Sequence, residues 1–177
     1  IGGGAPVAIQ SMLNTKTTDV KGSLAQIDAL KTAGCQIARL AIPNTDAAKA
    51  FKEICQESPL PLVADIHFDY KLAIAAAEAG ASKIRINPGN IGGKDRVRAV
   101  VEACKSYRIP IRIGVNGGSL DKKLLEKYSH PTAEALVESA FEHLALLEEC
   151  DFYDSCVSMK SSTVPTMVKA ARLFRSK

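Results

Sequence analysis

The sequence predicts an α/β fold of repeated β/α units: a (β/α)8 TIM-type barrel of which about the first six units are present. Three observations predict it. Six short β-branched or aliphatic runs alternate with six longer helical patterns, the signature of parallel strands joined by crossover helices. A weak internal repeat relates A-G-C-Q-I-A-R-L (33–40) to A-G-A-S-K-I-R-I (79–86), each a helix-ending glycine followed five residues later by an arginine inside a strand. The 177 residues fall short of the ~250 that a complete eight-unit barrel uses.

The first run, V-A-I-Q-S-M (7–12), follows I-G-G-G-A-P, read as a turn that leads into the strand. This triple glycine precedes a strand, and L-N-T-K-T-T-D after the strand has none, so neither stretch is a dinucleotide-binding loop and a doubly wound sheet is disfavoured. A helix over 20–33 ends at Gly34 and is followed by Q-I-A-R-L-A-I (36–42). Asp46 is placed to cap a helix over 46–56, ahead of P-L-V-A-D-I-H (61–67). Asp69 caps the next helix, 70–79, which stops at Gly80 before K-I-R-I-N (83–87). Helices over 94–107, 132–149 and 164–175 then alternate with P-I-R-I-G-V-N (110–116) and Y-D-S-C-V-S-M-K (153–160).

Composition narrows the function classes. Hydrophobic residues at 46% and charged residues at 24% describe an ordinary globular domain with a real core. No apolar run approaches the ~18 residues of a membrane helix, and there is no signal-peptide pattern. The net charge of +4 is mild and scattered, with no basic stripe for nucleic acid. The five cysteines, Cys35, Cys55, Cys104, Cys150 and Cys156, form no C-x-x-C pair and are odd in number. They read as small buried residues in a reducing cytoplasm rather than a disulfide framework. The start at Ile1 and the stop at Lys177, just after a helical pattern, read as the edges of a piece of a longer protein, a partial barrel domain over 1–177.

Side chains alternate along a strand, so parity sorts each run into two faces. Leu40 and Ile42 oppose Arg39 and Ala41; Leu62, Ala64 and Ile66 oppose Val63, Asp65 and His67. Ile84 and Ile86 oppose Arg85 and Asn87; Ile111, Ile113 and Val115 oppose Arg112, Gly114 and Asn116. Val157 and Met159 oppose Cys156, Ser158 and Lys160. One face is apolar and packs under helices. The other turns polar toward the strand ends, which in a barrel is the inner face opening at the C-terminal rim. Arg39, His67, Arg85, Arg112 and Lys160 thus converge from five strands on a single acid, Asp65. One carboxylate cannot neutralise them, unpaired charge is costly to bury, and arginine forks match phosphate oxygens. A phosphate or diphosphate ligand follows, with Asn87, Asn90, Asn116 and Ser162 available for neutral hydrogen bonds. Arg112→Ala is expected to cost affinity and little stability.

Other features carry less. His67 reads as a phosphate donor or proton source oriented by Asp65, against the plainer reading of a packed histidine. His130 and His143 read as loop and helix-surface residues. Two candidate ligands, Asp65 and His67, are too few for a metal site. Neither G-x-S-x-G nor a P-loop is present. Lys160 reads as an electrostatic contact rather than a Schiff-base lysine, because bound phosphate would keep it charged.

In order and spacing, I-G-G-G-A-P-V-A-I-Q-S-M, L-V-A-D-I-H-F-D-Y, R-I-N-P-G-N-I-G, I-R-I-G-V-N-G-G-S-L and V-S-M-K-S-S resemble the 4-hydroxy-3-methylbut-2-enyl diphosphate synthase family, over essentially the whole chain. The resemblance implies an N-terminal barrel followed by a C-terminal domain carrying a [4Fe–4S] cluster, whose three cysteine ligands and glutamate lie outside this chain. It implies reductive ring opening and dehydroxylation of 2-C-methyl-D-erythritol 2,4-cyclodiphosphate in isoprenoid biosynthesis, with flavodoxin or ferredoxin as electron donor. It also implies a homodimer in which the cluster domain of one chain covers the barrel of the other, in a bacterial cytoplasm or in a plastid. By the same resemblance, Arg39, Arg85, Arg112 and Lys160 match the diphosphate-binding positions, with His67 and Asn116 beside them and Asp65 and Ser162 as further members. None of the cysteines matches a cluster ligand, so this segment alone is expected to bind and not to turn over. Two other readings stand beside this one: a pterin-binding transferase barrel, and a non-catalytic phosphate-binding module.

Overall fold

A computed structural model describes residues 1 and 4–177. Six parallel strands form one sheet in sequence order: β1 (Gln10–Met12), β2 (Ile37–Ala41), β3 (Leu62–Asp65), β4 (Lys83–Ile86), β5 (Ile111–Asn116) and β6 (Ser155–Lys160). The crossovers are α1 (Val20–Thr32), α2 (Thr45–Glu57), α3 (Tyr70–Glu78), α4 (Pro88–Ile91), α5 (Lys94–Tyr107), α6 (Lys122–Tyr128) and α7 (Ala133–Glu148), and α8 (Val164–Arg175) follows β6. This is the partial TIM-type barrel that the alternation predicted.

The sheet is curled. The Gln10 side chain on β1 accepts a hydrogen bond from Arg112 Nη1 on β5 at 2.8 Å. Four strand spacings would separate the two strands by roughly 19 Å in a flat sheet. Its convex face is the core: Leu40, Ile42, Ile66, Ile84, Ile86, Ile111 and Ile113 are at most 1% exposed. Phe51 and Ile54 of α2, Val100 and Val101 of α5 and Leu136 of α7 cover them. Burying each such side chain contributes about 1.5–3 kcal/mol. The alanines of α3 (Ala73, Ala76, Ala77) let that helix lie close to the sheet and to its neighbours.

Local punctuation mostly follows the sequence. Gly34 and Gly80 end α1 and α3 at φ +91° and +100°, a backbone region costly for other residues. Asp69 caps α3 through the Lys71 N–H. Asp46, by contrast, is not the cap of α2: it lies in the first turn, and Asn44 accepts from the Ala47 N–H instead. The first strand begins at Gln10 rather than at 7, with Val7 at 95% and Ile9 at 60% exposure, because β1 has a neighbour on one side only and pairs over three residues. Gly2 and Gly3 of the expected entry turn lie outside the described residues. The short helices α4 and α6 are hidden in the loop signals around N-P-G-N and D-K-K-L.

Candidate functional site

Parallel pairing keeps residues in register on the same face of the sheet. One row runs Ala41, Asp65, Arg85, Arg112, Cys156 across β2 to β6. The row below it holds Met12, Arg39, Val63 and Lys83. Two residues beyond Arg112 on β5 come Gly114 and, after another two, Asn116, which is in register with Lys160. Strand parity therefore places the inner face correctly, and it brings Arg39, Asp65, Arg85, Arg112, Asn116 and Lys160 onto one concave surface.

Asp65 organises the first part of that surface. It is 1% exposed and holds three partners: Arg39 Nη2 donates to Oδ2 at 2.7 Å, Arg85 Nη1 donates to Oδ1 at 3.2 Å, and His67 Nε2 lies 3.1 Å from Oδ2. Arg39 and Arg85, the two arginines of the internal repeat, flank this acid from β2 and β4. Arg85 differs from the expectation of an open rim position: it is buried below the rim, against Asp65. Burial pulls its guanidinium below the ordinary arginine value; Asp65 opposes this, while Arg39 and Arg112 push the same way as burial by like-charge repulsion. Arg39 and Arg112 thus both lie within electrostatic reach of Arg85. Arg39 Nε is buried and has no hydrogen-bond partner among the described residues.

The second part has no acid. Arg112 bonds to neutral Gln10. Lys160 is exposed and, with Asn116, Gly117, His130, Ser162 and Thr163, lines a cavity of about 650 Å³ between the loops after β5 and β6. Lys160 there suits an electrostatic contact and lacks the apolar enclosure of a Schiff-base lysine. Ser162 is exposed at the start of the turn into α8.

Some expected members are otherwise occupied. Asn87 is 2% exposed; its Oδ1 accepts from the Gly89 N–H and its Nδ2 donates to Ser119 Oγ, so it holds the loop after β4 rather than a ligand. His143 is not a helix-surface residue. It is half-buried beneath α4, with Nε2 placed 3.4 Å from where a Cβ on Gly89 would stand and Nδ1 buried without a partner among the described residues. Burial pulls its imidazole below the ordinary value, with Asp121 opposing. Sequence reasoning missed Lys83 and Gln10. Lys83 is 8% exposed and faces inward, its Nζ 3.6 Å from Cys156 Sγ. Parity two residues before Arg85 would have found it.

The residues present do not suit an iron–sulfur cluster. Among the described residues no three His, Cys, Asp or Glu converge to hold a metal ion. Burial pushes the Cys55 and Cys104 thiols up to about 12, away from the thiolate that a metal requires. Cys35 and Cys104 are buried as expected, whereas Cys55, Cys150 and Cys156 are only partly so. No helix among the described residues is long and apolar enough to cross a membrane.

Fold and site together define a partial TIM-type barrel with a cationic inner face. The chain belongs to the GcpE TIM-barrel domain family, which it matches over residues 1–177. It is 59% identical over 177 residues to a 4-hydroxy-3-methylbut-2-en-1-yl diphosphate synthase (flavodoxin) of Idiomarina loihiensis, covering 100% of this chain and 48% of that protein. The same name is carried by a Clostridium perfringens relative, 57% identical over 100% of this chain and 51% of its own length. The chain thus spans about half the length of the curated relatives it matches. Among solved structures, a Thermotoga maritima DAHP synthase aligns over 95% of this chain and 48% of its own at TM-score 0.61 and 11% identity. Yersinia pestis dihydropteroate synthase aligns over 85% of this chain and 56% of its own at TM-score 0.58 and 14% identity. These likenesses show the barrel fold alone; the family match separates this chain from the pterin-binding transferases that share it.

Proposed function

We propose that the whole protein converts 2-C-methyl-D-erythritol 2,4-cyclodiphosphate to 4-hydroxy-3-methylbut-2-enyl diphosphate, a step of isoprenoid biosynthesis by the methylerythritol phosphate route, and that this barrel segment binds the diphosphate. Two electrons and two protons enter, the cyclic diphosphate opens at a carbon–oxygen bond, and one water leaves. The observation that carries the reading is charge. Arg39, Arg85, Arg112 and Lys160, with His67, lie on one concave face where Asp65 pairs with Arg39, Arg85 and His67 while Arg112 meets only a neutral amide, and Arg39 Nε has no acceptor among the described residues. A diphosphate supplies the missing negative charge and the acceptor oxygens. The names of the relatives support the product and, by their printed electron donor, flavodoxin; ferredoxin is the other donor to test.

A [4Fe–4S] cluster, held by residues other than these, would supply the electrons in the whole protein. What this segment contributes is recognition and orientation. Asp65 fixes Arg39 and Arg85 in place, Arg112 and Lys160 meet phosphate oxygens, and Asn116 and Ser162 add neutral hydrogen bonds. His67, exposed and oriented by Asp65, is placed to donate to a phosphate oxygen or deliver a proton. The segment alone binds without turnover, and a homodimer gives each barrel the cluster domain of its partner.

The test is anaerobic purification of the full-length protein. About four irons per chain, with reduced flavodoxin oxidised only when the cyclic diphosphate is added, is the expected result. A full-length protein that takes up no iron on reconstitution and does not bind the cyclic diphosphate overturns the proposal.

A further inference from the structure

Gly114 sits at an inward-facing position of β5, between Arg112 and Asn116, where every neighbouring inward residue carries a side chain. The space above it is not open. A Cβ built on Gly114 would overlap Nη2, Nε and Cζ of Arg85, the guanidinium that reaches across from β4. Arg85 starts in register with Arg112, so two guanidinium groups set out from adjacent positions on one face. They separate because each has somewhere to go. Arg112 turns to Gln10 across the barrel. Arg85 leans over the bare backbone at Gly114, toward the C-terminal end of β5, and is held from the other side by Asp65.

We propose that Gly114 is a positioning residue for the diphosphate site: its missing side chain is the seat of the Arg85 guanidinium, which it fixes between the Asp65 carboxylate and the β5 backbone. The inference rests on the diphosphate reading of this face. The seat matters because Arg85 is a buried group held on two sides, with a side chain 8% exposed. It cannot swing into solvent to avoid an added methyl. It must leave Asp65 or approach Arg112, and either move takes its donors off the geometry that a phosphate would meet. A strand position that tolerates only glycine because of a neighbour's side chain differs from one that needs glycine for its own backbone, and Gly114 is not among the residues with positive φ.

The experiment is a double-mutant cycle in the full-length protein, reading affinity for the cyclic diphosphate in the absence of reductant and the melting temperature. Gly114→Ala is expected to weaken binding roughly 10- to 100-fold, the scale of losing a hydrogen bond to a charged group. Arg85→Lys alone also weakens it, since an ammonium lacks the fork. Added to Gly114→Ala, the same Arg85→Lys change is expected to raise affinity and melting temperature, because a lysine head fits beside the methyl where a guanidinium does not. If Gly114→Ala fails to fold while the double variant folds and binds, the proposal stands. It is overturned if folded Gly114→Ala binds within about threefold of the parent protein, if Arg85→Lys is equally harmful with and without Gly114→Ala, or if the single Gly114→Ala variant and the double variant both fail to fold. A parent protein that does not bind the cyclic diphosphate sinks the functional proposal instead, and the melting-temperature cycle still reads the coupling between positions 85 and 114.

Discussion

On β2, β3 and β4 Arg39, His67 and Arg85 share an acid, whereas Arg112 on β5 and Lys160 on β6 do not. Arg39, His67 and Arg85 surround Asp65, and Arg85 is buried with it. Arg112 and Lys160 face a neutral amide and an open cavity. The first group is wired before any ligand arrives and belongs to the fold as much as to the site. The second is free to answer a ligand's charge. Buried ion pairs stabilise little in net terms but cost a great deal to break, while exposed cations cost the fold almost nothing. The two groups should therefore fail differently when mutated.

The largest expected effect is at Asp65. Asp65→Asn keeps the shape and removes the charge, leaving Arg39 and Arg85 crowded without an acid; a loss of about 3–5 kcal/mol is expected in denaturant unfolding. A loss below about 1 kcal/mol would mean that water or a bound anion already shares the task, and the contrast would collapse. On the other side, Lys160→Ala and Arg112→Ala should lose affinity for the cyclic diphosphate by roughly ten- to a hundredfold, as for other hydrogen bonds to charged groups. Lys160→Ala should leave stability within about 0.5 kcal/mol, and Arg112→Ala should cost no more than about 1 kcal/mol for its bond to Gln10. If Arg112→Ala unfolds the protein, Arg112 belongs to the wired group. A smaller change sharpens the same point. Gln10→Ala frees Arg112 without removing it, so affinity should fall only severalfold, about 1 kcal/mol, measured by titration calorimetry at matched salt.

The inner face is legible in the sequence because a strand has period two, and a polar residue between two isoleucines has few places to go. Arg85 in K-I-R-I-N and Arg112 in I-R-I-G-V-N follow from that alone. Which cation meets which group is not legible, since it depends on the curl of the sheet: nothing local brings Gln10 to Arg112 across 102 residues. Parity puts Lys83 on the face of Arg85, but a lysine at a strand start reads as a solvated end, and its enclosure shows only in the pairing of β4 with β3. Asn87 reads as a ligand donor because nothing in the N-P-G-N turn announces a short helix with its own cap to satisfy. His143 carries no periodic signal that distinguishes a position facing solvent from one facing the loop after β4.

His143 gives the smallest expected effect and separates the helical layer from the Asp65 group. Burial holds its imidazole below the ordinary value of 6.5, so the unfolded chain binds the proton more readily than the folded one. Stability is therefore unaffected above about pH 6.5 and declines as pH falls from there toward the folded-state value. His143→Gln keeps a polar group of similar size and removes the titration. It should flatten the dependence of melting temperature on pH just below 6.5 while leaving affinity for the cyclic diphosphate unchanged. Asp65→Asn should do the reverse, lowering stability through its lost partners and weakening binding as well. If His143→Gln leaves the acid limb untouched, burial of this imidazole is not what makes the fold acid-sensitive, and the helical layer is silent in both stability and recognition.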